Sequence, residues 1–556
     1  MKNTNKVLIT MILIMLFYSD SYCRMFFIDS KGNDSNDGTI NYPWKTFDYT
    51  MGIITAGDTL NIREGTYNES IITTASGTDE SRGAIVIRAY PGEKAVLRGN
   101  NYHGTGIEIK HSHIRFERIE TEFWDVAMYA VKPASFITLT GLIVHDVNYG
   151  ISIYNGTHDI TLNNCEMFRF GHYGFDATAT AGTGPEDDIT NITLVNCYSH
   201  DPDFTTPNHN PDGNADGFAF GHGRERNVML INCIADHTGD GFDLDGVNVT
   251  AINCTARNTT YIFGGGFKCW ADTVILYNCL SYNNLITGGE LARVNGSRSN
   301  TYMINCTFID NGEINLRLEA NLAHLKLYNS LVVGGIKYSS DITPRGLGFI
   351  SGALSEQYEG DYNIFHSATD DSYISVDDIG NGYISSDSLS VWQKGTGQDL
   401  HSYFYKDIDT LFSDRQNHDY HLRKGVGAID NGTPLHTYST DHDGNKRDNK
   451  PDIGCYEYIG GSDVNNENVN PEFIFYCFSN SIKNNLKILF VIVKSEEVTI
   501  SICDITGRVV LEPVKSESFN TGGHIKDIDC TNLGVGVYLA ILRHGNETLS
   551  RKFIKE

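Results

Sequence analysis

An Asn-Cys dipeptide recurs six times along the chain, at Asn164-Cys165, Asn196-Cys197, Asn232-Cys233, Asn253-Cys254, Asn278-Cys279 and Asn305-Cys306, and a final copy reads Asn329-Ser330. Each copy closes a short apolar run: LNNC, LVNC, LINC, AINC, LYNC, MINC and LYNS. The asparagines are 32, 36, 21, 25, 27 and 24 residues apart. A period of that size with elastic insertions marks a solenoid, in which each repeat is one coil stacked on the next. The runs alternate with β period, Gly or Asn breaks them, and no convincing helical periodicity intervenes. The expected fold is all-β, a right-handed parallel β-helix. Stacked coils place each residue about 4.8 Å from its counterpart. The asparagines can then form a ladder of side-chain amides, and the cysteines that follow point inward as small reduced hydrophobes.

This arrangement accounts for the cysteines. Twelve in an exported chain would ordinarily mean a disulfide framework, but the repeat puts six of them in one interior column. No CxxC pair occurs, which argues against a zinc ribbon. Export itself is read from residues 1–23, where two lysines precede an apolar run, Val7 to Phe17, too short to span a membrane. No other segment is apolar enough to span, so the mature protein is expected to be soluble, and it is expected to be a monomer. The chain carries 43 Lys+Arg against 69 Asp+Glu, a formal net charge of −26. No basic face is available for nucleic acid, and a polyanionic ligand would need local cations.

At 556 residues the chain exceeds one ordinary compact core. The expected division is a signal peptide at 1–23, a β-helix at 24–458, a polar linker at 459–471 and a small β-sandwich at 472–556. Open coil ends expose strand edges and need caps. Tyr42–Asp58 reads as a short amphipathic helix closing the N-terminal end, and the less regular stretch from about 336 to 458, with its IDNG…DHDGNKRD segment, reads as final coils and a cap.

Residues can now be aligned by coil. A Gly-aromatic pair recurs as YGFD (173–176), DGFA (216–219), DGFD (240–243) and GGFK (265–268). Aligning the phenylalanines stacks Asp176, Ala219, Asp243 and Lys268 in one column and Asp216, Asp240 and Gly265 in its neighbour. Asp243 and Lys268 each lie ten residues before their ladder asparagine, which supports the register. Asp216, Asp240, Asp243 and Lys268 thus fall in one surface patch, with Asp245 close by. Converging carboxylates repel unless a cation joins them, and oxygen-only ligands on a rigid scaffold suit Ca²⁺. A lysine in the field of that cation would have a lowered pKa and serve as a base. Such a site suits β-elimination from a uronic acid in a polysaccharide: neutralising the carboxylate acidifies the C5 proton, the lysine removes it, and the C4 oxygen leaves. Arg293 and Arg317, each twelve residues before a ladder asparagine, should stack as a positive strip for uronate carboxylates. Trp270 and Phe263 flank the lysine coil and could stack on sugar rings.

NADGF, GDGFD and GGFK resemble the calcium-site and catalytic-lysine segments of the family nine polysaccharide lyases, parallel β-helix pectate lyases. FFIDSKGNDSNDGTINYPWKTF and AGDTLNIREGTY resemble their N-terminal pattern, and the resemblance covers about residues 26–335. It implies a calcium-dependent lyase acting on acidic polysaccharide, pectate first among them, with Asp216, Asp240 and Asp243 as ligands and Lys268 as base. Where the family has two adjacent aspartates, this chain reads Gly239-Asp240, so one ligand is missing and Asp245 is the residue placed to compensate. The tail, through Gly507-Arg508-Val509-Val510 and Gly536-Val537-Tyr538, resembles the C-terminal sorting domain of the type nine secretion system of Bacteroidota. This implies secretion machinery as a partner and a location at or beyond the cell surface.

Two rival readings share the fold, since a β-helix alone does not determine function. An inverting glycoside hydrolase of the polygalacturonase type is favoured by NADG and Gly221-His222-Gly223, but here the latter precedes Asp240 and no adjacent Asp-Asp follows. The other rival is a non-catalytic β-helix that binds glycan at the cell surface.

Overall fold

A computed structural model describes residues 24–556 apart from 79–82, 181–183, 222, 293–298, 320–322, 336–344, 351–356, 367–373, 377–383, 386–388, 461–472, 478–480, 493–495, 520–521 and 546. The signal segment, Arg293, His222 and nearly all of the linker lie outside the described residues.

One coil illustrates the architecture. Val247–Ile252 forms a strand of the first face, Asn253-Cys254 turns the corner, Thr255–Arg257 forms the third face, and Gly265–Cys269 forms the second before the chain returns to the first face at Thr273–Tyr277. Repetition gives a first face of 13 parallel strands, from Met25–Ile28 to Tyr358–Asp361. The second and third faces are likewise parallel, each strand pairing with its equivalent one coil on. This is a right-handed parallel β-helix. Apolar residues at alternate positions stack into a continuous core: the Phe218, Phe242 and Phe267 rings lie 5.0 and 4.8 Å apart, face to face. Each such ring, fully buried, contributes about 1.5–3 kcal/mol.

The amide ladder is present over five coils. Asn196 donates to Asn164 (3.2 Å), Asn232 to Asn196 (3.0 Å), Asn253 to Asn232 (3.2 Å) and Asn278 to Asn253 (3.1 Å). All seven ladder asparagines have φ between 50 and 53°, the left-handed region that Asn tolerates better than most residues. The ladder does not continue to Asn329 as expected. Asn305 and Asn329 turn their amides instead to the segment 433–452: Asn305 Nδ2 donates to the Asp452 carbonyl at 3.2 Å, and Asn329 Nδ2 to that of Thr433 at 2.9 Å. The DHDGNKRD stretch is therefore a strap along the corner, not an end cap. Its Arg447 is fully buried and donates to Asn278 Oδ1 (3.2 Å) and the Gly454 carbonyl (2.9 Å). Ten described cysteines are free and buried, the six of the column among them.

The N-terminal helix is shorter than expected, Phe47–Met51 alone, capped by Thr46. Tyr42 and Trp44 are instead held in β-bridges to Thr39 and Ile28, so the chain reaches helical geometry only once the Thr46 cap is in place. Phe47, Thr50 and Met51 cover the first coil. Beyond the helix, Gly536–His544, Glu547–Lys555 and neighbouring strands form separate, mainly antiparallel sheets around their own core of Leu486, Ile488, Phe490, Ile500 and Phe553. Among the described residues, no helix is long and apolar enough to cross a membrane.

Candidate active site

The second face carries two outward columns. In the first, Tyr149 pairs with Tyr173 and Tyr173 with Asp216. Asp240 follows, its backbone N–H donating to Asp216 Oδ1 at 3.3 Å. In the second, register runs Tyr129, Ser152, Asp176, Ala219, Asp243, Lys268, Glu290, Arg317. The alignment by phenylalanine therefore matches the register of the structure. A column of glycines makes it possible. A Cβ on Gly241 would stand 2.5 Å from the carbonyl oxygen of Gly266, and one on Gly266 would stand 2.6 Å from that of Gly288, so the coils approach closely only where the side chain is absent.

Carboxylate oxygens of Asp216, Asp240 and Asp243 all lie within 4.8 Å of one another. Asp240 is fully buried, and its Oδ1 accepts from the backbone N–H of Gly265 at 2.7 Å. Its Oδ2 accepts from Lys268 Nζ at 2.8 Å. Asp243 Oδ1 is buried and meets no hydrogen-bond donor, a costly state for a carboxylate oxygen. Burial, with mutual repulsion from Asp240 and Asp243, raises Asp216 well above the usual carboxylate range. Burial likewise raises Asp243 to about 7, against the opposing pull of Lys268. Three carboxylates held this close, one with an oxygen unsatisfied, fit a hard divalent cation such as Ca²⁺.

Lys268 lies in the field of the trio. Burial opposes its charge, but Asp243, Asp240 and Asp216 outweigh burial and hold its pKa above the ordinary lysine value. Without a cation the field at the amine is negative, so the ammonium itself balances the acidic trio. Its Nζ also lies 4.9 Å from the centroid of the Trp270 ring, which places Trp270 beside the amine.

Asp245 does not join the trio; its Oδ1 accepts from the Gly246 N–H at 2.7 Å, and its charge acts on Glu225 and Asp243. Nor is there room at the position that lacks a ligand. A Cβ on Gly239 would lie 2.4 Å from Ala215 N and 2.6 Å from Asn214 Oδ1. Arg293 lies outside the described residues, and the register partner of Arg317 is Glu290, one coil beyond Lys268. Counting back from the ladder misses Glu290 because the turn after it is longer, 15 residues from Glu290 to Asn305 against 12 from Arg317 to Asn329. The Gly288-Gly289-Glu290 triplet, aligned on Gly266-Phe267-Lys268, was the signal that could have found it. Phe263 is 70% exposed, on the loop that delivers Gly264 to the edge of Asp240.

A family model described as "Pel9A-like, right handed beta helix region" matches residues 26–326. A second, described as "Secretion system C-terminal sorting domain", matches residues 478–556. Pectate lyase PEL9 of Emericella nidulans is 22% identical over 397 residues, spanning 63% of this chain and 86% of the relative. The uncharacterized protein YwoF of Bacillus subtilis is 36% identical over 75 residues, 14% of this chain and 16% of its own. The crystal structure of pectate lyase Pel9A is similar with a TM-score of 0.45 and 17% identity, over 78% of this chain and 96% of that one. The C-terminal sorting domain directs this chain through the type nine secretion route to the cell surface or beyond.

Proposed function

Because the chain belongs to the Pel9A-like family of right-handed β-helices, we propose that it is a calcium-dependent polysaccharide lyase that cleaves uronic-acid polymers, pectate first among them, by β-elimination. The observation that carries this reading is the pairing of three clustered carboxylates with one lysine on a single face, Lys268 Nζ lying 2.8 Å from Asp240 Oδ2. In this reading Asp216, Asp240 and Asp243 hold the calcium ion, which when bound neutralises the uronate carboxylate and the charge that develops beside it. Lys268, as the free amine, takes the C5 proton; the C4–C5 double bond forms, the bond from C4 to its glycosidic oxygen breaks, and that oxygen leaves with a proton. Trp270 packs beside the amine and limits where it can reach. Arg317, two coils beyond at a spacing of about 4.8 Å per coil, is placed to pair with the carboxylate of a neighbouring sugar. The step needs the free amine, and the acidic trio favours the ammonium, so activity should rise with pH toward an alkaline optimum. The proposed division has a signal peptide at 1–23, the catalytic helix at 24–458, a linker at 459–471 and the sorting unit at 472–556.

Mass spectrometry of products from oligogalacturonides tests the reaction class. Elimination leaves a fragment one water lighter than the corresponding hydrolysis product. Fragments at the hydrolysis mass alone, with none one water lighter, would instead support the hydrolase reading, and no fragments from any uronan would support a binding protein.

A further inference from the structure

Of the columns that carry the acidic trio, the first continues toward the N-terminal coils as tyrosines, and the second, past Ala219, Asp176 and Ser152, reaches one. The Asp216–Asp240 column is preceded, one and two coils earlier, by Tyr173 and Tyr149. The Asp243–Lys268 column runs back through Asp176 and Ser152 to Tyr129, and Tyr154 stands two residues beyond Ser152 on the same strand. All four rings are partly exposed. They are also fixed in place. Tyr129 and Tyr154 pack with centroids 5.0 Å apart, and Tyr149 stacks on His172 at 4.5 Å, the planes 6° apart. The Tyr154 hydroxyl hydrogen-bonds to Asp176, which also accepts from Ser152 Oγ at 2.5 Å. Beside the strip the loop through Asn208 is pinned down: Asn208 Nδ2 donates to Asp125 Oδ1 at 3.2 Å, and Asn148 Nδ2 reaches the same oxygen at 2.7 Å.

We propose that Tyr129, Tyr149, Tyr154 and Tyr173 form a sugar-binding extension of the active site, which holds pyranose rings of the polymer on the N-terminal-coil side of Lys268. The inference rests on the lyase reading and deepens it. Aromatic faces complement the C–H faces of pyranose rings, while a phenol hydroxyl meets the ring's own hydroxyls. Coils spaced at about 4.8 Å present one tyrosine-bearing step per sugar-sized interval, in line with the reacting centre. The strip is preorganised, so ordering it on binding costs little. The face is thus polar in the chain direction: rings stack on tyrosine toward the first coils, and carboxylates meet Arg317 toward the last.

The test compares kcat/KM on trigalacturonate and hexagalacturonate for the full chain and for Tyr129→Ala, Tyr154→Ala and Tyr154→Phe. The wild type should gain rate with length, and each alanine variant should lower the hexamer-to-trimer ratio by about 3- to 10-fold, the size of one aromatic contact. Tyr154→Phe, which keeps the ring, should retain most of the ratio and separates stacking from a folding defect. An unchanged ratio in both alanine variants, with thermal unfolding intact, overturns the proposal. Should the wild type generate no unsaturated product, the lyase reading fails and calorimetry with hexagalacturonate decides the strip alone. Weaker binding in Tyr129→Ala supports it, whereas equal binding, or none to wild type, overturns it.

Discussion

Asp176 is buried between Ser152 and the tyrosines, 1% exposed, and burial raises its carboxyl to about 7. Its unfolded-state value is about 3.9. The folded protein therefore holds a proton that the unfolded chain releases. The stability linked to this proton is complete below about pH 4 and is lost as pH rises through about 7. Asp176→Asn should unfold at a higher temperature than wild type at pH 8 and should flatten the decline of Tm between pH 5 and 8, measured with calcium present to fix the state of the neighbouring trio. An unchanged slope would mean that Asp176 is charged in the fold. The role of Asp216, Asp240, Asp243 and Lys268 as neighbours was legible in the sequence, because Gly-Phe pairs mark the same point of each coil. The charge state of Lys268 was not, since it depends on whether a cation or the ammonium balances the trio. Asp245 was misplaced because sequence proximity says nothing of side-chain direction around a turn.

At the scale of elements, the asparagine ladder joins coils whose strands are only three residues long at the third face, such as Thr255–Arg257. Asn253 is 7% exposed and sits between two amide partners, at 3.2 Å to Asn232 and 3.1 Å to Asn278. Asn253→Ala removes both of those amide bonds and puts alanine at φ 53°. It should cost about 1–3 kcal/mol, read by denaturant unfolding; a loss below about 0.5 kcal/mol, the level of an ordinary surface substitution, would show that the ladder follows from the fold and does not support it. This ladder could be read because cysteine flags it. A second ladder runs Asp159, Asn191, Asn227, Asn248, with amide bonds of 3.1, 3.1 and 3.0 Å, at the start of first-face strands. Each of its members precedes Ile or Val and lies five residues before a corner asparagine, so the repeat that flags the corner carries this ladder too. The strap at 433–452 was hidden, because its contacts to Asn278, Asn305 and Asn329 are more than 100 residues distant in sequence.

For the whole molecule, the proposed function requires an acidic chain to handle an acidic polymer. A net charge of −26 repels a uronan at long range, so attraction has to come from a bound cation and from Arg317 at contact distance, where salt screens little. The helix supplies the rigid face, and the tail supplies the address. Removing residues 478–556 should keep the protein from the cell surface and medium, followed by fractionation with an antibody to the helix; normal delivery of the truncated chain would contradict the sorting role of the tail. Fold class and tail were legible because both rest on repeated local patterns. The loops beside the site, such as 201–214 and 258–264, were not, since they carry no period.

The most direct test of the account is ultraviolet absorbance of the unsaturated uronate formed from polygalacturonate at alkaline pH, followed for wild type and Lys268→Ala, with calcium and after chelation. The account predicts a rise for wild type that requires calcium and is absent in Lys268→Ala, while calorimetry still detects calcium bound to that variant through Asp216, Asp240 and Asp243. A Lys268→Ala protein that generates the same absorbance, or a wild type indifferent to the chelator, would contradict it.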